Sequence, residues 1–198
     1  MKSEPVTHRN PLRGKVDLEV IILAGGLSER MGRDKSRLRL GGRTLPSLLR
    51  SVAREAGFRA RVIRRDRVPR CGPLGGILTA LATTRCEGCL FLTCDMPFIT
   101  ASVLLRLVSK GRTRRTACFY SCGGFRGFPA LLWRDHLPTV QRALDAQDLS
   151  FQSLTRRLRG RSVRLPISEQ DRLFNINTPE DWEHARQMWR LRGGRVDV

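Results

Sequence analysis

The stretch that decides the fold is "VIILAGGLSERMGRDK", residues 20–35, in which aliphatic residues run directly into glycines and cationic side chains. With the residues before it, the apolar run "LEVIILA" (18–24) is typical of a β-strand buried on both faces. Open α/β sheets bind their ligands at the carboxyl ends of the strands. The loop that follows this strand is therefore the first candidate site.

This loop has the chemistry of a phosphate-binding segment. Gly25 and Gly26 allow backbone amides to approach phosphate oxygens closely, and Arg30 and Lys35 add full positive charges at the same place. Its spacing fits neither the Walker loop nor the dinucleotide-binding glycine pattern. A tight turn with solvated arginines would explain "AGG" alone, but not Arg30, Gly32 and Lys35 following in register.

The rest of the chain alternates between helix and strand patterns. Predicted helices cover 44–58, 72–84 and 100–111, lie near 140–144 and 149–158, and begin again at Thr178; predicted strands cover 60–63, 89–95, 116–120, 128–133 and 162–166. This alternation predicts one three-layer, Rossmann-like α/β domain with a mostly parallel sheet over residues 17–192. We expect residues 1–16 to be a flexible leader and 193–198 a tail.

A second candidate site follows the other strongly apolar strand, "CLFLTCD", which ends on Asp95. Mg²⁺ takes one or two carboxylates together with phosphate oxygens, so a carboxylate at a strand end is a reasonable magnesium ligand. A helix cap or a core salt bridge is the structural alternative.

Charge and composition limit the function classes. The formal net charge is +19, and 33 of the 37 basic residues are arginines, spread along the chain without a dominant cluster. This distribution disfavours nucleic acid as the main ligand, and a coding bias towards arginine explains it equally well. No apolar run approaches the roughly 18 residues of a membrane span, and the N-terminus lacks the apolar core of a signal peptide, so we expect a cytoplasmic protein without membrane partners.

The six cysteines allow two interpretations. "CEGC" (86–89) and "CFYSC" (118–122) could together supply four zinc ligands, although the second spacing is unusual for zinc. Both pairs border apolar strand patterns, which favours buried thiols that pack as small hydrophobic groups.

Four segments together resemble the signature segments of the molybdenum cofactor guanylyltransferases. They are "LAGGLSERMGRDK", "DRVPRCGPLGGI", "CDMPF" and "FNINTPED", which occur in the family's order between residues 23 and 181. The first segment is shared more loosely with cytidylyltransferases and sugar-nucleotide enzymes.

The resemblance implies a nucleotidyltransferase domain that makes the molybdopterin guanine dinucleotide cofactor and pyrophosphate from GTP and molybdenum-bearing molybdopterin. It implies that Arg30 and Lys35 hold the triphosphate and that Asp95 binds Mg²⁺ and the nucleotide. Further roles implied by the resemblance are nucleotide contacts for Leu23, Ala24, Gly25, Gly26 and Asp66, and pterin contacts for Asn175 and Asn177. The implied recipients of the product are molybdoenzymes or their chaperones.

The chain departs from this family in one respect. Two strands normally lie between the first helix and the Gly-Pro-Leu turn, whereas here a single strand pattern, "ARVI", fills this interval. We therefore expect a domain shortened by about one strand, with fewer contacts to the base. Alternatives are a cytidylyltransferase, a sugar-phosphate nucleotidyltransferase and a cofactor-binding relative without catalysis.

Overall fold

The computed structural model describes residues 16–25, 35–65, 71–122 and 124–194. Eight strands are present in these ranges: β1 (Leu18–Leu23), β2 (Arg39–Leu40), β3 (Arg43–Thr44), β4 (Arg59–Ile63), β5 (Gly88–Thr93), β6 (Cys118–Cys122), β7 (Phe125–Trp133) and β8 (Arg161–Val163). The α-helices are α1 (Leu45–Glu55), α2 (Gly72–Thr83), α3 (Ala101–Gly111), α4 (Leu137–Asp145), α5 (Phe151–Arg157) and α6 (Pro179–Leu191). No helix in these ranges has the length and apolar character needed to cross a membrane.

Six strands form one sheet in the order β4-β1-β5-β7-β6-β8, and β2 and β3 form a separate small hairpin. β7 pairs antiparallel with both β5 and β6, while the other three pairings are parallel. The predicted, mostly parallel sheet is therefore confirmed. Because β7 runs against its neighbours, it begins at the edge of the sheet where β1, β5 and β6 end.

The alternation of side chains along the strands produces two separate cores. In β1, Val20 and Ile22 belong to one core, and Ile21 and Leu23 belong to the other. Helices α1 and α3 cover the first face, and α2, α4 and α5 cover the second. The molecule therefore has the predicted three layers.

A third, smaller core lies beside the sheet. It joins the β2–β3 hairpin and the start of α1 to α6, and its buried members are Leu40, Leu45, Leu48, Phe98, Ile176 and Ala185. These residues are far apart in sequence. Their packing places the segment that begins at Lys35 against the segment that leads into α6.

Two predicted helix starts have the expected caps. Thr44 accepts a hydrogen bond from the Ser47 backbone N–H at 3.3 Å, and Thr178 and Asp181 form a reciprocal capping box at the start of α6. Between α1 and α2, the described residues contain one strand, β4, and it lies at the edge of the sheet.

The described cysteines that flank the strands are packing residues. Cys89 lies in the core under α2, and Cys118 lies in the core on the opposite face of the sheet. Burial raises the pKa of the Cys89 thiol to about 12 and that of Cys118 to about 11. Thiols on opposite faces cannot reach one ion, so the four-cysteine zinc site is ruled out by geometry.

Candidate active site

A turn at the end of β5 presents Asp95. The Cys94 N–H donates to the Leu23 carbonyl oxygen at 3.0 Å, which extends the pairing of β1 with β5 by one residue. The Met96 N–H then donates back to the Thr93 carbonyl oxygen at 3.3 Å. Asp95 is therefore held at the carboxyl edge of the sheet, next to the end of β1.

Lys35 meets Asp95 at this edge. Its Nζ atom donates to Asp95 Oδ2 at 3.3 Å and to Asn177 Oδ1 at 3.0 Å. The Lys35 and Asp95 side chains are only 15% and 18% exposed, so the pair is largely shielded from water. Three predicted site residues from separate sequence segments are thus in direct contact.

The second carboxylate oxygen of Asp95 has no hydrogen-bond partner among the described residues. Asp95 Oδ1 is buried and accepts no hydrogen bond. A buried carboxylate oxygen without a donor is costly, and a bound cation would satisfy it. In the part of the chain that the structure describes, no cluster of three or more potential metal ligands surrounds it.

The end of β1 brings the start of the glycine loop, Ala24 and Gly25, to the same edge. The Ala24 N–H donates to the Ile63 carbonyl oxygen at 2.8 Å, and Leu23 is buried, so it can offer a ligand only backbone atoms. A Cβ atom on Gly25 would lie 3.0 Å from the Arg64 carbonyl oxygen. Gly25 is therefore closely packed against the residue that follows β4, which leaves little space for a side chain.

Three predicted site residues, Gly26, Arg30 and Asp66, lie outside the described residues. Their predicted roles stay predictions.

The segment before α6 separates the two predicted pterin residues. Ile176 is fully buried, and its N–H donates to the Asp95 carbonyl oxygen at 2.9 Å. Asn177 contacts Lys35, whereas the Asn175 amide donates to the Leu173 carbonyl oxygen at 3.0 Å and faces a cavity. The two asparagines therefore have different surroundings: Asn177 contacts Lys35, and Asn175 lines the cavity.

This cavity, of about 400 Å³, lies at the same edge of the sheet, where β6 ends and β7 begins. Its lining includes Ser121, Arg126, Phe128, Phe151, Gln152 and Asn175. The rings of Phe128 and Phe151 are stacked, with centroids 4.4 Å apart and planes 22° from parallel. The cavity therefore has a flat apolar wall surrounded by polar groups. This arrangement suits a planar heterocycle.

The polar groups of this cavity differ in how far they are already engaged. The Gln152 side chain bonds both the N–H and the carbonyl oxygen of Arg126, and the Arg126 guanidinium bonds Ser162 Oγ and the Thr155 carbonyl oxygen. The Ser121 hydroxyl is buried and has no hydrogen-bond partner among the described residues. It is therefore a lining group whose hydrogen-bonding capacity is not already used.

Sequence reasoning missed Ser121 and Gln152. Ser121 is the polar residue of an otherwise apolar strand, "CFYSC", and this irregularity was the available signal. Gln152 gives no signal in the sequence, because its role depends on how α5 packs against β7.

Comparisons with known proteins agree with this geometry. Residues 20–163 match the family model described as "MobA-like NTP transferase domain". The chain is 35% identical to a protein of Opitutus terrae named "Probable molybdenum cofactor guanylyltransferase", over 84% of this chain and 93% of that one. It is 31% identical to the molybdenum cofactor guanylyltransferase of Xanthomonas euvesicatoria, over 82% and 90% of the two chains.

The fold is also that of a solved structure, molybdopterin-guanine dinucleotide biosynthesis protein A from Archaeoglobus fulgidus. The TM-score is 0.71 at 21% identity, and the match covers 87% of this chain and 99% of that one. With the extent of the family match and the identity to its named relatives, this chain belongs to the MobA-like NTP transferase family of molybdenum cofactor guanylyltransferases.

Proposed function

We propose that this protein transfers GMP from GTP to molybdenum-bearing molybdopterin, which yields the molybdopterin guanine dinucleotide cofactor and pyrophosphate. One observation carries the proposal within the family. Lys35, Asp95 and Asn177 meet at the edge of the sheet where the glycine loop begins, so a lysine ammonium and a carboxylate with an unpartnered oxygen would face the phosphates of a nucleotide bound there.

The reaction requires the protein to align the two substrates and to neutralise the negative charge of their phosphates. A terminal phosphate oxygen of the pterin attacks the α-phosphorus of GTP, a new P–O bond forms, and the bond to the leaving pyrophosphate breaks. Lys35 and Arg30 would hold the triphosphate and stabilise the negative charge that builds up on the leaving group. Backbone groups of Leu23, Ala24, Gly25 and Gly26 would contact the nucleotide.

Asp95 fits the role of the magnesium ligand, because its buried Oδ1 has no protein donor. Mg²⁺ bound there would neutralise phosphate charge and make the α-phosphorus easier to attack. Lys35 contacts the other oxygen of the same carboxylate, Oδ2. Asp95 would therefore align the Mg²⁺ ion and the Lys35 ammonium with one another.

The cavity beside Asn175 is the proposed site of the pterin. Its stacked phenylalanine rings would pack against the planar ring system, and Ser121 and Asn175 would bond its polar edge. The cavity and the Lys35–Asp95 pair are connected by the short segment 175–177, which would place the acceptor phosphate near the nucleotide.

Guanine recognition is proposed to depend on Asp66. A carboxylate can accept hydrogen bonds from the N1 and N2 donors of guanine, which cytosine lacks, and a wrong base would leave it unpaired. With one strand fewer in this part of the domain, a single polar contact carries more of the selectivity. Replacement of Asp66 by alanine should therefore narrow the preference for GTP over CTP sharply.

We place the reaction in the cytoplasm, with molybdoenzymes or their chaperones as recipients of the product. Cys86, Cys89 and Cys118 are buried, reduced thiols, which fits a reducing compartment.

The test is product formation by the purified protein with Mg²⁺, molybdenum-bearing molybdopterin and one nucleotide at a time. GTP should give the dinucleotide, detected by mass spectrometry, with one pyrophosphate per turnover. Lys35→Ala should lower turnover about a hundredfold while unfolding at the wild-type temperature.

The alternatives give different results in the same assay. Product from CTP in preference to GTP indicates a cytidylyltransferase, and product only from a sugar phosphate indicates a sugar-nucleotide enzyme. Tight binding of nucleotide and pterin without product identifies a cofactor-binding relative. Each of these results contradicts the proposed reaction.

A further inference from the structure

The side chain of Asn177 contacts Lys35, which is not the contact expected of a pterin-binding residue. Its side-chain oxygen accepts a hydrogen bond from Lys35 Nζ at 3.0 Å, on the phosphate side of the site. Asn175, two residues earlier, faces the cavity instead. Asn177 therefore contacts the Lys35–Asp95 pair, whereas Asn175 lines the cavity.

The backbone around Asn177 is fixed on both sides. Its own N–H donates to Asp181 Oδ2 at 2.8 Å as part of the cap of α6, and the Ile176 N–H is held by the Asp95 carbonyl oxygen at 2.9 Å. A lysine ammonium can only donate, so the amide oxygen of Asn177 must face it. Asn177 therefore offers Lys35 a rigidly placed, uncharged acceptor.

We propose that Asn177 is a positioning residue for Lys35 in nucleotide binding, and not a contact of the pterin; the inference rests on the proposed function. Lysine carries its charge on a long, flexible stem. With Asp95 as its sole partner, the ammonium would settle on the carboxylate that the proposed metal needs. The amide oxygen of Asn177 is a second, neutral acceptor, and it holds Nζ between Asp95 and Asn177. The ammonium therefore stays available to a phosphate.

The experiment measures binding of Mg·GTP and of guanosine in the absence of the pterin, for wild type, Asn177→Ala, Lys35→Ala and the double variant. Asn175→Ala is the matched comparison, since both asparagines are exposed and lie in the same segment. Loss of one hydrogen bond predicts that Asn177→Ala weakens Mg·GTP binding about fivefold. The affinity for guanosine, which has no phosphate, should stay unchanged, and so should Mg·GTP binding by Asn175→Ala.

The double variant separates positioning from a structural effect. If Asn177 acts through Lys35, its replacement should have no further effect once Lys35 is alanine. An equal loss in both backgrounds, a loss of guanosine affinity, or unchanged Mg·GTP binding by Asn177→Ala overturns the inference. Asn177→Ser, whose hydroxyl is too short to reach Nζ, provides the same test if the alanine variant does not fold.

Wild-type protein that binds no Mg·GTP would instead overturn the proposed function. The two failures are therefore distinguishable in one set of titrations.

Discussion

At the scale of single residues, Asp95 is exceptional because its two carboxylate oxygens have different surroundings. One faces Lys35, and the other is buried without a partner. Asp95→Asn should therefore lower turnover at least about a hundredfold, while the unfolding temperature without ligand stays near that of wild type or rises, since a buried charge is removed. Thermal unfolding and pyrophosphate release over a range of Mg²⁺ concentrations provide the measurement. A large fall in stability with an unchanged Mg²⁺ dependence would show that Asp95 is a structural ion-pair partner.

Gly160 gives a prediction about packing. A Cβ atom there would meet the Phe119 ring and lie 2.7 Å from the Ala117 carbonyl oxygen, and a backbone atom cannot yield easily. We expect Gly160→Ala to lower the free energy of unfolding by about 1–3 kcal/mol. Gly127→Ala is the control, because nothing lies within 4 Å of the added atom. Urea unfolding of both variants checks this, and equal stabilities would contradict the close contact.

The chemistry of single residues could be predicted more readily than their contacts. A carboxylate after an apolar strand and a lysine after a glycine loop could be predicted to lie at one edge of the sheet, and Lys35 and Asp95 do meet there, whereas their roles towards a ligand stay predictions. The contact between Lys35 and Asn177 joins residues that are 142 positions apart in the sequence, and it was not predictable. The different contacts of Asn175 and Asn177 likewise depend on the tertiary packing of their segment.

At the scale of elements, the start of α6 links stability to pH. The pKa of the Asp181 carboxyl lies below its ordinary value of 3.8, first because the Asn177 backbone N–H donates to it and further because Thr178 does. A pKa that is lower in the folded state adds stability above the unfolded value, and this stability is lost as the pH falls through the folded value.

Asp181→Asn, which keeps a side-chain oxygen, should therefore be less stable than wild type at neutral pH, and the difference should shrink below pH 3.8. Urea unfolding at a series of pH values measures it. Thr178→Ala removes the other half of the capping box and should lower the free energy of unfolding by about 1 kcal/mol. A difference for Asp181→Asn that does not change with pH would show that shape, and not charge, stabilises this cap.

The main elements were predictable because their local signals agree with the tertiary structure. β1 and β5 are predominantly apolar runs, and α1 and α6 begin with Thr–Leu–Pro and Thr–Pro motifs. The two-residue strands β2 and β3 were missed, since their hairpin is stabilised by packing in the third core and not by a strand pattern of its own.

At the scale of the whole molecule, the net charge of +19 predicts a strong but unspecific attraction to polyanions. Affinity for single-stranded RNA should fall about a thousandfold or more between 50 and 200 mM salt if six or more phosphates are contacted. Transfer of GMP, which depends on a few contacts in a shielded site, should fall much less. Filter binding and turnover over the same salt series measure both quantities. RNA binding that persists at high salt and depends on sequence would contradict the small-molecule assignment.

The direction of β7 has a consequence for how such a domain can diversify. Because β7 alone runs against the sheet, the β6–β7 hairpin opens beside the cavity, while the rest of both strands lies in the two cores. Residues can be inserted at the turn of this hairpin without changing the core contacts of the described residues, and each insertion would reshape the rim around the acceptor. A change of acceptor can therefore arise independently of the nucleotide end of the site, so this turn is the natural position for laboratory evolution of new substrates.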